Sequence, residues 1–164
     1  MIDQDYIVKY PAVLSVTFSS QGSEIVTLSE AKAWCAIDGS DFDTIIEMLI
    51  TAARQQCEGY ANLSFISRTI EAKVKAGTRL PYGPVLDSNI TGITDSDGNA
   101  VTMDYKDLKE GEYTVTYTVA QPTDARMKLS ILNQVAYLFE NRGDGQDGQL
   151  SPGAKAILKP IRFV

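Results

Sequence analysis

The chain has 164 residues, 44% of them hydrophobic, enough for one globular domain that builds its core without disulfides or metals. Its 15 Lys+Arg against 21 Asp+Glu leave a net charge of −6, which argues against a protein whose task is to grip nucleic acid or an anionic membrane. The absence of histidine excludes Ser-His-Asp and Cys-His nucleophiles, a histidine general base, and His-ligated zinc or haem.

The opening Met1-Ile2-Asp3-Gln4-Asp5 is acidic where a signal peptide is basic, and no apolar run approaches the roughly 20 residues of a membrane span, so an intracellular protein with no membrane partner is expected. Residues 1–26 read as an extended arm, strand-like over Val13-Leu14-Ser15-Val16-Thr17-Phe18. Thr27-Leu28-Ser29-Glu30 has the form of a capping box. It predicts a helix over 27–37, stopping at Asp38-Gly39, with Trp34 packed on the helix that follows.

Ser40 or Asp41 caps that longer helix, 41–61. Phe42, Ile45, Ile46, Leu49, Ile50, Ala53 and Cys57 recur at three- and four-residue steps and form one buried stripe. Glu47, Thr51, Arg54, Gln55 and Glu58 fall on the polar face. Asn62 is a left-handed terminator. Both cysteines, Cys35 and Cys57, lie in these helical segments and read as buried free thiols.

From 65 to 119 the period becomes two. Strands are expected at 67–74, 89–94, 101–105 and 113–119, with Asp95-Ser96-Asp97-Gly98-Asn99 as a hairpin turn and Leu80-Pro81-Tyr82-Gly83-Pro84-Val85 as an extended crossing. Pro122 precedes a third helix, 123–141, whose apolar face is wide enough for two neighbours. Residues 143–153 are glycine-rich and polar, and 154–158 have the makings of one helical turn. The class is α+β: a small bundle of two N-terminal helices and one near the C-terminus, an inserted antiparallel β block, and a flexible C-terminal tail. The organisation is an arm (1–26), a domain (27–142) and a mobile loop with tail (143–164).

Several motif matches are accidental on physical grounds. Gly143-Asp144-Gly145-Gln146-Asp147-Gly148 spells GxGxxG but follows a helix, and its aspartates would repel a pyrophosphate. Asp95 to Asn99 lacks the glycine and glutamate placement of a calcium loop, and Ser29-Glu30-Ala31-Lys32 lacks the companions of an SxxK enzyme. Asp41 with Asp43, Asp95 with Asp97, and Asp104 with Asp107 leave metal-dependent carboxylate hydrolysis formally open, though helix starts and turns explain each pair more simply. No cofactor and no metal are expected.

The order of segments carries more than any one of them. Glu24-Ile25-Val26-Thr27-Leu28-Ser29-Glu30-Ala31-Lys32, Ile37-Asp38, Ala52-Ala53-Arg54, Glu58-Gly59-Tyr60, Ser67-Arg68-Thr69, the Leu80 to Val85 crossing and Phe139-Glu140-Asn141-Arg142 together resemble the head-tail connector (adaptor) family of tailed double-stranded DNA bacteriophages. The resemblance spans about residues 24–164. It implies a structural virion protein in the neck at the capsid vertex, assembled in the host cytoplasm. Its partners would be further copies of itself in a ring, commonly dodecameric, the portal protein, and a downstream neck or tail protein. DNA would pass through without specific binding, so the acidic residues are expected on the channel wall. A stopper or tail-completion protein is the alternative within the neck.

On this reading the segment from Leu150 to Val164, with Lys155, Leu158, Lys159, Ile161, Arg162 and Phe163, is expected to dock on the portal and to be removable without unfolding the rest. Glu47, Arg54 and Glu58 are expected to make subunit contacts.

Overall fold

The computed structural model describes residues 12–142 and 149–163. They form two compact units: residues 12–22 with 66–122, and residues 23–65 with 123–163. The chain thus enters the first unit, crosses to build half of the second, returns, and crosses again.

The first unit is a four-stranded antiparallel sheet in the order β1-β2-β4-β3, with β1 Val13–Gln21, β2 Arg68–Lys75, β3 Ile90–Asp95 and β4 Glu112–Val119. Part of the expected N-terminal arm is therefore a sheet strand, which pairs Val16 with Ala72 and Phe18 with Ile70. Alternation fixes the register. Ile70, Ala72 and Val74 on β2 and Val115 and Tyr117 on β4 point into one core with Val13, Val16 and Leu80, while Glu71 and Thr116 face outward. The Tyr117 hydroxyl donates to the Pro81 carbonyl at 2.7 Å, which fastens the Leu80 to Val85 crossing. Val101 to Tyr105 is not the expected strand. After the Thr94–Ala100 bridge the backbone turns into a short 3₁₀ segment, Tyr105–Asp107, where the Tyr105 hydroxyl donates to the Thr78 carbonyl at 2.6 Å.

The second unit is helical: α1 Leu28–Trp34, α2 Asp43–Ala61, α3 Ala125–Glu140 and α4 Pro152–Leu158, followed by a 3₁₀ turn Lys159–Ile161. Thr27 and Glu30 close the capping box, Asp124 caps α3 and Ser151 caps α4. The first helix ends earlier than expected because Ala36 already adopts φ +52°, with Ile37 N–H bonded to the Lys32 carbonyl. The second starts at Asp43 without a side-chain cap. Ile46, Ile50, Ala53, Cys57 and Ala61 line its inner face against Met127, Ile131 and Val135 of α3 and Ala154 and Leu158 of α4. Asn62 ends it in the left-handed region. Among the described residues no helix is long and apolar enough to cross a membrane.

The C-terminal segment corrects the sequence pattern most clearly. Residues 150–163 are a folded part of the helical unit: Leu150 and Leu158 are core residues, Ile161 and Phe163 pack against that core, and Phe163 N–H donates to the Ala61 carbonyl at 2.8 Å. Of the expected mobile stretch 143–153, residues 143–148, which hold the GxGxxG match, lie outside the described residues, while Leu150 to Gly153 belong to this folded segment.

Candidate functional site

The residues with the strongest claim to contact other molecules lie on the helical unit, distributed between the two ends of α2. At its C-terminal end the buried chemistry comes first. Arg54 and Glu58, one turn apart, are 3% and 1% exposed. Arg54 Nη1 donates to Glu58 at 2.7 Å and its Nε to Glu24 at 2.8 Å, while the other oxygen of Glu58 accepts the Phe65 N–H at 2.7 Å. Burial pulls the Arg54 pKa down, but the two carboxylates more than offset this and hold it above the ordinary arginine value. Sequence spacing puts Arg54 and Glu58 on the polar face as subunit contacts. The structure corrects the face: both side chains are buried, Arg54 bonded to Glu24 and Glu58, and Glu58 to Arg54 and the Phe65 N–H. Glu47 is exposed.

On the same end lies the expected portal-docking set. Leu150 and Leu158 are inside and offer no surface, whereas Lys155 and Lys159 are exposed and Ile161, Arg162 and Phe163 are half-buried. Asn62 Nδ2 donates to the Phe163 carbonyl at 3.2 Å, and the Arg162 guanidinium sits 5.0 Å from the Tyr60 ring centre. What remains is a basic rim on a folded element.

At the N-terminal end of α2, Phe42 and Ile45, expected in the buried stripe, and Trp34, expected to pack on α2, are exposed. Phe42, Ile45 and Met48 follow one another at three-residue steps along the outer face, Met48 64% exposed, and Trp34 at the end of α1 is 47% exposed. Phe42 is the inner edge of this patch. It meets Phe139 edge-on at 5.5 Å, and the Arg142 guanidinium covers Phe139 at 4.0 Å and Phe42 at 5.5 Å. The Phe139-to-Arg142 run therefore clamps the end of α3 to the start of α2. Lys32 ties α1 to the same corner through Asp43 at 2.5 Å and the Gly39 carbonyl. The missed signal was Met48, which continues the Phe42-Ile45 row away from the Ile46-Ile50 stripe.

The carboxylate pairs do structural work. Asp95 accepts the N–H groups of Asp97 and Asn99 as a turn residue, bonds that lower its pKa, with Asn99's contribution the largest. Asp43 is held by Lys32, and Asp104 lies 3.6 Å from Lys106. Among the described residues no three His, Cys, Asp or Glu side chains converge where they could hold a metal ion.

A family model described as phage gp6-like head-tail connector protein matches residues 25–162. Among solved structures, a chain from the virion of a native gene transfer agent (GTA) particle matches with TM-score 0.68 at 17% identity, over 91% of this chain and 95% of that one. A chain from the neck of an empty GTA particle computed with C6 symmetry gives 0.64 at 14% identity, over 92% and 96%. One from the neck of a native GTA particle computed with C12 symmetry gives 0.58 at 15%, over 90% and 96%. No curated protein matches the chain. The structural likenesses are likenesses of fold, but a family match running from residue 25 to residue 162, across both units, makes the chain a member of the phage gp6-like head-tail connector family.

Proposed function

We propose that the chain is a structural, non-enzymatic part of the virion neck. Identical copies close a ring, dodecameric in the simplest case, that docks under the portal, extends the DNA channel and offers a platform to the next neck or tail protein. The family match over residues 25–162 carries the reading. Support comes from the similarly folded chains of GTA necks, taken from particles treated with six- and twelvefold symmetry, and from the exposed Ile45, Met48 and Trp34, which a monomer gains nothing by leaving in water. The net charge of −6 fits a channel that repels phosphates and lets DNA slide, with acidic side chains enriched on the lumen.

Negative-stain images and light scattering of the purified chain, alone and with portal protein, test this. Rings with a central channel are expected in at least one of the two conditions. A chain monomeric at high concentration and also with portal overturns the reading.

A further inference from the structure

Helix α2, about 28 Å long at 1.5 Å per residue, separates two surfaces of opposite charge. Around its N-terminal end Asp38, Asp41, Glu47 and Glu140 are exposed. One of the two cations there, Lys32, is engaged by Asp43 and the Gly39 carbonyl, and the other, Arg142, lies over Phe42 and Phe139. The exposed Trp34, Ile45 and Met48 belong to the same end. Around its C-terminal end Lys155, Lys159 and Arg162 form the basic rim, with no acidic residue anywhere from 149 to 163. Glu58, the one acid on the second half of α2, is occupied by Arg54.

We propose that the acidic, apolar corner of one copy receives the basic C-terminal rim of the next, so that this pair of surfaces is the head-to-tail subunit interface. The inference rests on the ring reading and names its contact. Three observations choose a second copy as the occupant. The charges are complementary. The two surfaces are different patches of one chain, so a contact between them is heterologous and repeats head to tail around a closed ring. The half-exposed Ile157 and Ile161 on the rim also give the patch around Met48 an apolar counterpart.

The test uses two charge-reversed chains, Lys155→Glu/Lys159→Glu and Asp41→Lys/Glu47→Lys, all at exposed positions outside the core. Each alone has like-charged surfaces at both ends and is expected to self-associate at least about 30-fold more weakly than the unmodified chain. Mixed in equal amounts they should assemble again as alternating copies. Sedimentation velocity reads the assembly, with circular dichroism matching the unmodified chain as the check on folding. Trp34, the single tryptophan, reads the contact itself, its emission moving to shorter wavelength on assembly of the unmodified chain and of the mixture. Added salt should weaken association of the unmodified chain, a measurement that needs no variant.

Either variant assembling normally by itself, or a mixture that fails to assemble, overturns the interface while leaving the ring intact as a reading. Rings of Lys155→Glu/Lys159→Glu that no longer bind portal would assign the rim to the portal instead. An unmodified chain that never assembles overturns the ring reading and this contact together.

Discussion

Gln134, fully buried on α3, accepts the backbone N–H of Ser151 at 2.7 Å, and through that bond the C-terminal segment is built into the helical unit. The other half of the same amide donates to the Gln149 carbonyl at 3.0 Å and to Gln56 Oε1 at 2.6 Å, so one side chain joins α2, α3 and the start of α4. Gln134→Ala leaves a buried N–H and a carbonyl without partners and should cost about 1–3 kcal/mol. Leu158→Ala should cost about 2–5 kcal/mol by opening a cavity. Urea unfolding followed by circular dichroism measures both. Deleting residues 150–164 removes Leu150, Ala154 and Leu158 from the core at once and should leave a chain that no longer unfolds cooperatively. A truncated chain as stable as the whole would contradict this placement.

The Arg54 network gives the second prediction. Arg54→Met takes the guanidinium away from buried Glu58 and should destabilise the unit by about 3–5 kcal/mol. Adding Glu58→Gln removes the buried charge while keeping an acceptor for the Phe65 N–H, and Glu24 is exposed enough to turn to water. Arg54→Met/Glu58→Gln should therefore be more stable than Arg54→Met alone, in denaturant unfolding curves run side by side. Arg54→Lys should not rescue, because a single ammonium cannot supply two separated donors to two carboxylates.

What was legible in the sequence was local. Thr27 with Glu30 and the Asp95 to Asn99 turn are satisfied within a few residues, the left-handed backbone of Asn62 is a local preference, and the alternation in β2 and β4 is written within each strand. The misreadings came from partners far along the chain. Arg54 and Glu58 have the spacing of a solvated salt bridge, and Glu24, thirty residues before Arg54, and the Phe65 N–H, seven residues past Glu58, complete their bonding inside. Glycine-rich composition before Leu150 suggested a free tail, since nothing local reveals Gln134 as its anchor. Ile45 and Met48 carry the same letters in a core or on an interface, and the period of an isolated helix does not separate the two.

Acid should loosen the contact between α1 and α3. The Glu30 carboxylate accepts from Lys128 at 2.5 Å and from the Thr27 N–H at 2.9 Å, and these bonds, Lys128's foremost, pull its pKa from the ordinary 4.5 to about 2. A depressed carboxylate pKa stabilises the fold fully above the unfolded value, and that stabilisation is lost as pH falls from about 4.5 toward 2. Because Glu30 and Lys128 are about two-fifths exposed, the contribution is held to about 1 kcal/mol or less. Glu30→Gln keeps the form of the capping box and loses the ion pair, so its stability should vary less with pH across that window. A variant with the unmodified chain's pH dependence would show that the pair contributes nothing.

The two thiols should separate cleanly by reactivity. Cys57 is enclosed between α2 and α3, and burial pushes its pKa up to about 12 against the opposing hydrogen bond with Ser130. Cys35 is only half-buried, its pKa raised first by burial and then by the nearby Glu140. A thiol-disulfide reagent near neutral pH should therefore titrate one cysteine slowly in the folded chain and the second only in denaturant, since the thiolate is the reacting form. If Cys35 is also near the subunit contact, as its place beside the Trp34 and Glu140 corner implies, its rate should fall further on assembly while Cys57 stays silent in both states. Two equivalents reacting at once in the native monomer would mean that α2 and α3 part far more readily than their packing allows.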